Sequence, residues 1–349
     1  MRLGLFFAFA TLWPCLANAQ DWATRAFCEV DPRPVTATDF APDNLAELEA
    51  RASEILHAKG RFWQIESPDG AVSHLWGTFH VSNPAILDLP EPVKDTIAAA
   101  QVVALENDFT FPDRDAFLNQ LNEPGRYRDP GDPFSMQDPL DLSFLPDEVI
   151  DWVYQRLDDY GTTEDALFVL TYAGLAALLL ADPCEDYTAG VVPVQDDFIY
   201  TLGHIAQADV IGLEAPEAFF SDLSEREETA KAIVAVYASY LEPPRDSAAR
   251  AAMFQLYLDG RLGLLSAWDD AFVTRTLGPG GKTALDLTNE YLVAFRNQRF
   301  MESLAQPLED GGAFIAVGAA HLPGETGLVS MLRNAGFSVE RIPLPGEVP

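Results

Sequence analysis

Apolar and polar positions follow two different rhythms along this chain, and the change of rhythm is sharpest in Leu75-Trp76-Gly77-Thr78-Phe79-His80-Val81-Ser82-Asn83-Pro84. An apolar run stops at a glycine, a histidine comes three residues later, and polar turn residues follow. The chain repeats this near its other end, in Phe314-Ile315-Ala316-Val317-Gly318-Ala319-Ala320-His321-Leu322-Pro323. Each run reads as a buried strand that turns at Gly and presents His just beyond its C-terminal end. After His80, Val93, Ile97 and Ala100 recur at helical spacing, and a second apolar run, Val102 to Leu105, follows. After His321, Leu328, Met331, Leu332 and Ala335 recur in the same way. Gly336 stands where helices stop, and Phe337 to Ile342 reads as a strand. The unit strand, Gly-x-x-His, helix, strand therefore occurs twice. It suggests an internal duplication in which parallel strands set His80 and His321 side by side at one sheet edge.

Between these units the pattern predicts a helix over Leu45 to His57 and a hairpin of Phe62 to Glu66 with Val72 to Trp76, joined by Ser67-Pro68-Asp69-Gly70. Phe109 to Leu145 is rich in Pro and acids and reads as loop, part of a lid or cap. Leu167 to Ala181 is almost wholly apolar but too short to span a bilayer, so it reads as a buried helix. Val194 to Ala208 reads as a helix leading into Asp209-Val210-Ile211-Gly212-Leu213-Glu214, a third apolar strand ending on a carboxylate. Ser224-x-x-Glu227 has the form of a capping box, and Pro243-Pro244 ends the helix it opens. Helices over about Ser247 to Leu258 and Ala284 to Ala305 complete the set. The fold class is α/β: a central mixed sheet built from two Gly-x-x-His halves, with a large helical insertion. Residues 20–349 read as one such domain, with the insert over about 109–208 and further helices over about 222–305.

Composition adds compartment and partner class. Met1-Arg2, the apolar stretch Leu3 to Leu16 and Ala17-Asn18-Ala19 form a signal-peptide pattern with cleavage before Gln20, which implies a periplasmic or secreted protein. Cys15 lies in that segment, leaving Cys28 and Cys184; an even pair in an oxidising compartment favours a disulfide, with two buried free thiols as the alternative. The formal net charge of −32 argues against nucleic acid and anionic membrane surfaces as partners. No phosphate loop, nucleophile elbow or dinucleotide fingerprint appears.

Four predicted strand ends carry polar groups: His80, Glu106, Glu214 and His321. Two histidines and one or two carboxylates suit a divalent ion such as Zn, Mn, Co or Fe, and a spare carboxylate could serve as general base. A histidine after a strand can equally bond loop backbone, and a glutamate there can cap the next helix. His57 and His204 lie on ordinary helix ends, whereas His74, six residues before His80, would share its strand face and support the site from behind.

These residues resemble the TraB/GumN family, related to the TIKI metalloproteases and more distantly to ChaN-like and erythromycin-esterase-like proteins. The likeness is carried by Gly77 to His80, Gly318 to His321, Leu105-Glu106, Gly212-Leu213-Glu214, Arg296-Asn297 with Met301, and His321-Leu322-x-Gly324 with Gly327-Leu328. What the resemblance implies is an α/β core with paired halves and, in the TIKI branch, divalent-metal-dependent (Mn, Co or Zn) peptide cleavage. It implies His80 and His321 as metal-facing histidines, Glu106 and Glu214 as carboxylates that ligate or act as base, and Arg296 as a holder of a substrate carboxylate or a developing oxyanion. The chain departs from the family at Gly190 to Asp197, where a compact Gly-x-Asp is usual, so the counterpart is either Asp196 or Asp197. The function expected is an exported metal-dependent hydrolase acting on a peptide or small molecule. A non-catalytic peptide- or ligand-binding protein of the bacterial envelope is the alternative, and a structural envelope protein a third.

Overall fold

Alternating apolar side chains pair Phe62–Glu66 (β1) with Val72–Thr78 (β2) as an antiparallel hairpin, from Phe62 opposite Trp76 to Glu66 opposite Val72. Gly70 supplies the positive φ of 85° that the intervening turn needs, and its N–H donates to Ser67 O. A computed structural model of the protein describes residues 30–107, 125–129, 137–159, 162–181, 193–242 and 247–348. The signal-like segment, Cys28, Cys184 and most of the Pro-rich stretch lie outside the described residues.

Four further strands complete one mixed sheet: Val102–Leu105 (β3), Asp209–Gly212 (β4), Ala313–Gly318 (β5) and Ser338–Arg341 (β6), in the order β4-β3-β5-β2-β1-β6. β5 lies between β2 and β3 and is parallel to both; β4 is parallel to β3, and β6 closes the far side antiparallel to β1. The register sets Thr78 beside Gly318, Leu105 beside Ala316, and Gly212 beside Leu105. Four strands thus end on one edge of the sheet. Every residue of β5 is buried, as befits a central parallel strand covered on both faces.

The sheet core is built on Phe62, Trp76, Val103, Phe314 and Ile315, with Glu91–Ala99 (α1) and Gln195–Ile205 (α2) packed over it. A second core gathers Val149, Leu175, Ile233 and Tyr291 among helices outside the sheet, including Glu227–Ser239 (α3). A third joins Phe40, Leu48 and Trp268. The apolar stretch 167–181 divides into a short 3-10 turn, Glu164–Phe168, and a helix, Tyr172–Leu180, whose N-cap Thr171 accepts from Gly174 N. The capping box at Ser224 is not formed. Ser224 ends the preceding helix and turns its hydroxyl back to Ser221 O, and α3 opens without a side-chain cap. After Ser247–Leu258 (α4) comes a helix the periodicity does not single out, Leu262–Leu277 (α5). The stretch expected as one helix over 284–305 is three joined pieces: Gly281–Asn289, a π-helical segment Glu290–Phe295, and Arg296–Asp310 (α6).

Candidate metal centre

The glycines of the two Gly-x-x-His turns are the first constraint. A Cβ on Gly77 would stand 3.1 Å from Ala319 Cα, and one on Gly318 would stand 2.7 Å from His80 Nε2. Each turn therefore packs closely against the other: a side chain would be tight at Gly77, and at Gly318 it would displace the His80 ring. His80 follows β2, and His321 closes a 3-10 turn, Ala319–His321, directly after β5. His321 is buried, whereas His80 leaves 51% of its side chain exposed.

Glu106, the first residue after β3, lies between the two rings. Its Oε1 is 3.5 Å from His80 Nε2, 3.5 Å from His321 Nε2, and accepts Gly318 N–H at 2.7 Å. Its Oε2 accepts from Arg296 Nη2 at 2.7 Å. Burial opposes the Glu106 charge, but Arg296 and then the imidazoles outweigh it and hold the carboxyl well below its ordinary range. Glu214, following β4, is more deeply buried and accepts Arg296 Nε through Oε1 at 2.5 Å. Arg296 is thus occupied by two carboxylates, and its own charge is held fast by them in spite of burial.

The tautomer of His321 follows from its neighbour. Asn297 donates Nδ2 to His321 O at 3.1 Å and Thr326 O at 2.9 Å, so its Oδ1, 2.7 Å from His321 Nδ1, must accept. The proton of the neutral ring then sits on Nδ1, and the bare Nε2 faces the Glu106 carboxylate. Burial pushes the His321 pKa down to about 4, so no second proton is available to bridge that contact near neutrality. His80 differs: burial disfavours its charge, yet Asp196 first and then Glu106 raise its pKa well above the ordinary value.

Asp196 is the residue that pattern reading left open. In the first turn of α2, it accepts from Thr78 Oγ1 at 2.9 Å through Oδ1 and places Oδ2 2.8 Å from His80 Nδ1. That Oδ2 is buried and has no aligned hydrogen bond. Asp197 stands beside it, pushed up to about 7 by burial and by Asp196. Spacing alone does not choose Asp196 over Asp197, because the partners of Asp196 lie more than a hundred residues earlier.

Of the six residues singled out in the sequence, the structure gathers His80, His321, Glu106, Glu214 and Arg296 at one sheet edge, while His74 lies elsewhere. His74 pairs with Gln64 and Phe314 near the opposite end of β2 and stacks on Phe62 at 5.5 Å, because six strand residues span nearly the whole strand. His57 sits against Trp63 and His204 against Tyr200, away from the site. His80, Glu106 and Asp196 each offer one atom to a common point, all within 4.8 Å of one another. One imidazole and two carboxylates converging on one point, with Gly318 carrying no side chain beside them, fit a divalent cation.

Taken together, the molecule is an α/β protein whose parallel strand ends bring imidazoles, carboxylates and a saturated arginine to one buried edge. Residues 61–341 match the family model of TraB/PrgY/gumN, and the chain belongs to the TraB/PrgY/gumN family. No curated protein and no solved structure matches it. Among the described residues no helix is long and apolar enough to cross a membrane.

Proposed function

We propose that the protein is an exported metal-dependent hydrolase acting on peptides, with its centre at the sheet edge. The observation that carries the reading is the convergence of His80, Glu106 and Asp196 beside the bare Nε2 of His321. His80, Glu106 and Asp196 would hold the ion, with His321 the next donor, turned toward it by Asn297. The chemistry a divalent ion supplies when bound is acidification of a water and polarisation of a carbonyl. The chain's own part is orientation. Gly318 N–H and Arg296 fix both oxygens of Glu106, and Glu214 holds Arg296 in place. His80, the member of the set with a solvent-exposed face, is where a substrate first meets the site.

The two glutamates separate the roles. Glu106→Gln removes a ligand and should lose bound metal together with peptide cleavage. Glu214→Gln removes no ligand and should keep metal, because Arg296 still holds Glu106, while turnover falls as Arg296 loses one of its two carboxylates. Elemental analysis and peptide-library cleavage, with and without chelator, measure both. Metal content equal to wild type in both His80→Ala and Glu106→Gln would retire the metallohydrolase in favour of a peptide-binding protein.

A further inference from the structure

The helix that brings Arg296 to the two carboxylates carries a second arginine one turn on, and the two are bound very differently. Arg296 spends its Nε and Nη2 on Glu214 and Glu106. Among the described residues Arg299 makes no hydrogen bond: its nearest acid atom is Glu214 Oε2 at 4.0 Å, and its remaining contact is the Phe295 ring, 5.9 Å from the guanidinium carbon. Glu214 Oε2 is itself buried and accepts no hydrogen bond among the described residues. Arg226, the other guanidinium over Phe295, is tied to Asp222 at 3.0 and 3.2 Å. Arg299 leaves 29% of its side chain exposed, so its donors reach solvent beside the site.

The local backbone supports a purpose for this placement. Residues Glu290–Phe295 form a π-helical segment directly before Arg296. Such segments are rare, cost helix stability and recur at functional sites, because the wider turn changes which side chains face a given direction. Here the turn that follows points Arg296 and Asn297 into the centre and leaves Arg299 at its margin.

We propose that Arg299 is a specificity-determining residue that takes a carboxylate of the peptide substrate, either the C-terminal carboxylate or an acidic side chain. This deepens the hydrolase reading and rests on it only for the word substrate. A guanidinium fork matches a carboxylate bidentately, and Phe295 offers an apolar face to the adjoining methylene groups. The chain's net charge of −32 repels anions at long range, so selection would come from this short contact alone.

The test is calorimetric binding of three probes at low ionic strength: N-acetyl-Ala-Ala, its C-terminal amide, and N-acetyl-Glu-Ala amide. Wild type should prefer at least one carboxylate-bearing probe over the neutral amide by roughly tenfold or more. The preferred probe tells the two carboxylate sources apart. Arg299→Gln should erase the preference while leaving zinc stoichiometry unchanged, and Arg299→Lys should keep only part of it. Absence of a preference in wild type, or its survival in Arg299→Gln, overturns the proposal. Binding with preference but without cleavage sinks the hydrolase and leaves Arg299 as a binding residue. Cleavage without preference sinks Arg299 alone.

Discussion

Gly318 lies where the two turns come closest, and a single methyl group there tests the whole centre. In Gly318→Ala the new Cβ would stand 2.7 Å from His80 Nε2 and 3.3 Å from Glu106 Oε1, so the imidazole must swing away. The variant should retain its circular-dichroism spectrum but bind metal roughly 10–100-fold more weakly, as titration with zinc would read. A residue far from the centre supplies a pH handle. Burial and then Asp269 raise the Asp270 pKa to about 6, from an ordinary value of 3.8. The folded state therefore holds a proton that the unfolded chain releases earlier, and stability falls as pH rises from about 4 to about 6. Asp270→Asn removes that penalty, so thermal melting should show the variant gaining on wild type at pH 8 and not at pH 3. At this scale the sequence was informative where chemistry and turn coincide, as in Gly77 to His80 and Gly318 to His321. It left Asp196 and Asp197 undecided, because the choice depends on Thr78 and His80 reaching Asp196 across the fold.

Strands were the legible elements, because β2, β3 and β5 are short apolar runs bounded by turn residues and buried in the sheet core. α5 was not. Its buried Leu262, Leu264, Ala267, Trp268, Phe272 and Val273 surround much of the helix rather than forming one stripe, so periodicity gives it no face. The π-helical segment was equally hidden, since its local sequence is an ordinary helical one. How α2 reaches the centre rests on Gln195, a buried residue whose Oε1 accepts from Trp76 Nε1 at 3.2 Å and Phe79 N at 3.3 Å, while its Nε2 donates to Ile86 O. The Tyr257 hydroxyl of α4 shares its hydrogen between this oxygen at 2.9 Å and Gly77 O at 2.8 Å. Asp196 is the next residue, so this clamp sets its position. Gln195→Met leaves buried donors unpaired and should cost about 2–4 kcal/mol in urea unfolding, against about 1 kcal/mol for Tyr257→Phe. Equal losses in the two variants would show that the clamp is not centred on Gln195.

Across the whole molecule the sheet inverts the order of the chain: β5 stands between β2 and β3, and Ala313 N–H bonds Ser73 Oγ across a sequence separation of 240 residues. The C-terminal segment adds a second long-range tie. Glu347, whose side chain is buried, accepts from Arg61 at 3.0 Å and Arg341 at 2.9 Å, and the Arg61 guanidinium lies over Trp76 and Tyr257. The apolar strands were visible in the sequence, but the placement of β5 between β2 and β3 was not, because apolar runs carry no record of their neighbours. This threading has a consequence in time. As the chain is made, β2 and β3 emerge long before β5 and cannot complete their pairing until the strand that separates them follows. The loop-closure entropy of so distant a contact slows the closing of the sheet. Chains ended at Gly312 should therefore be digested readily in pulse proteolysis, whereas the full chain resists. A nascent molecule would thus carry no assembled centre until β5 has been made.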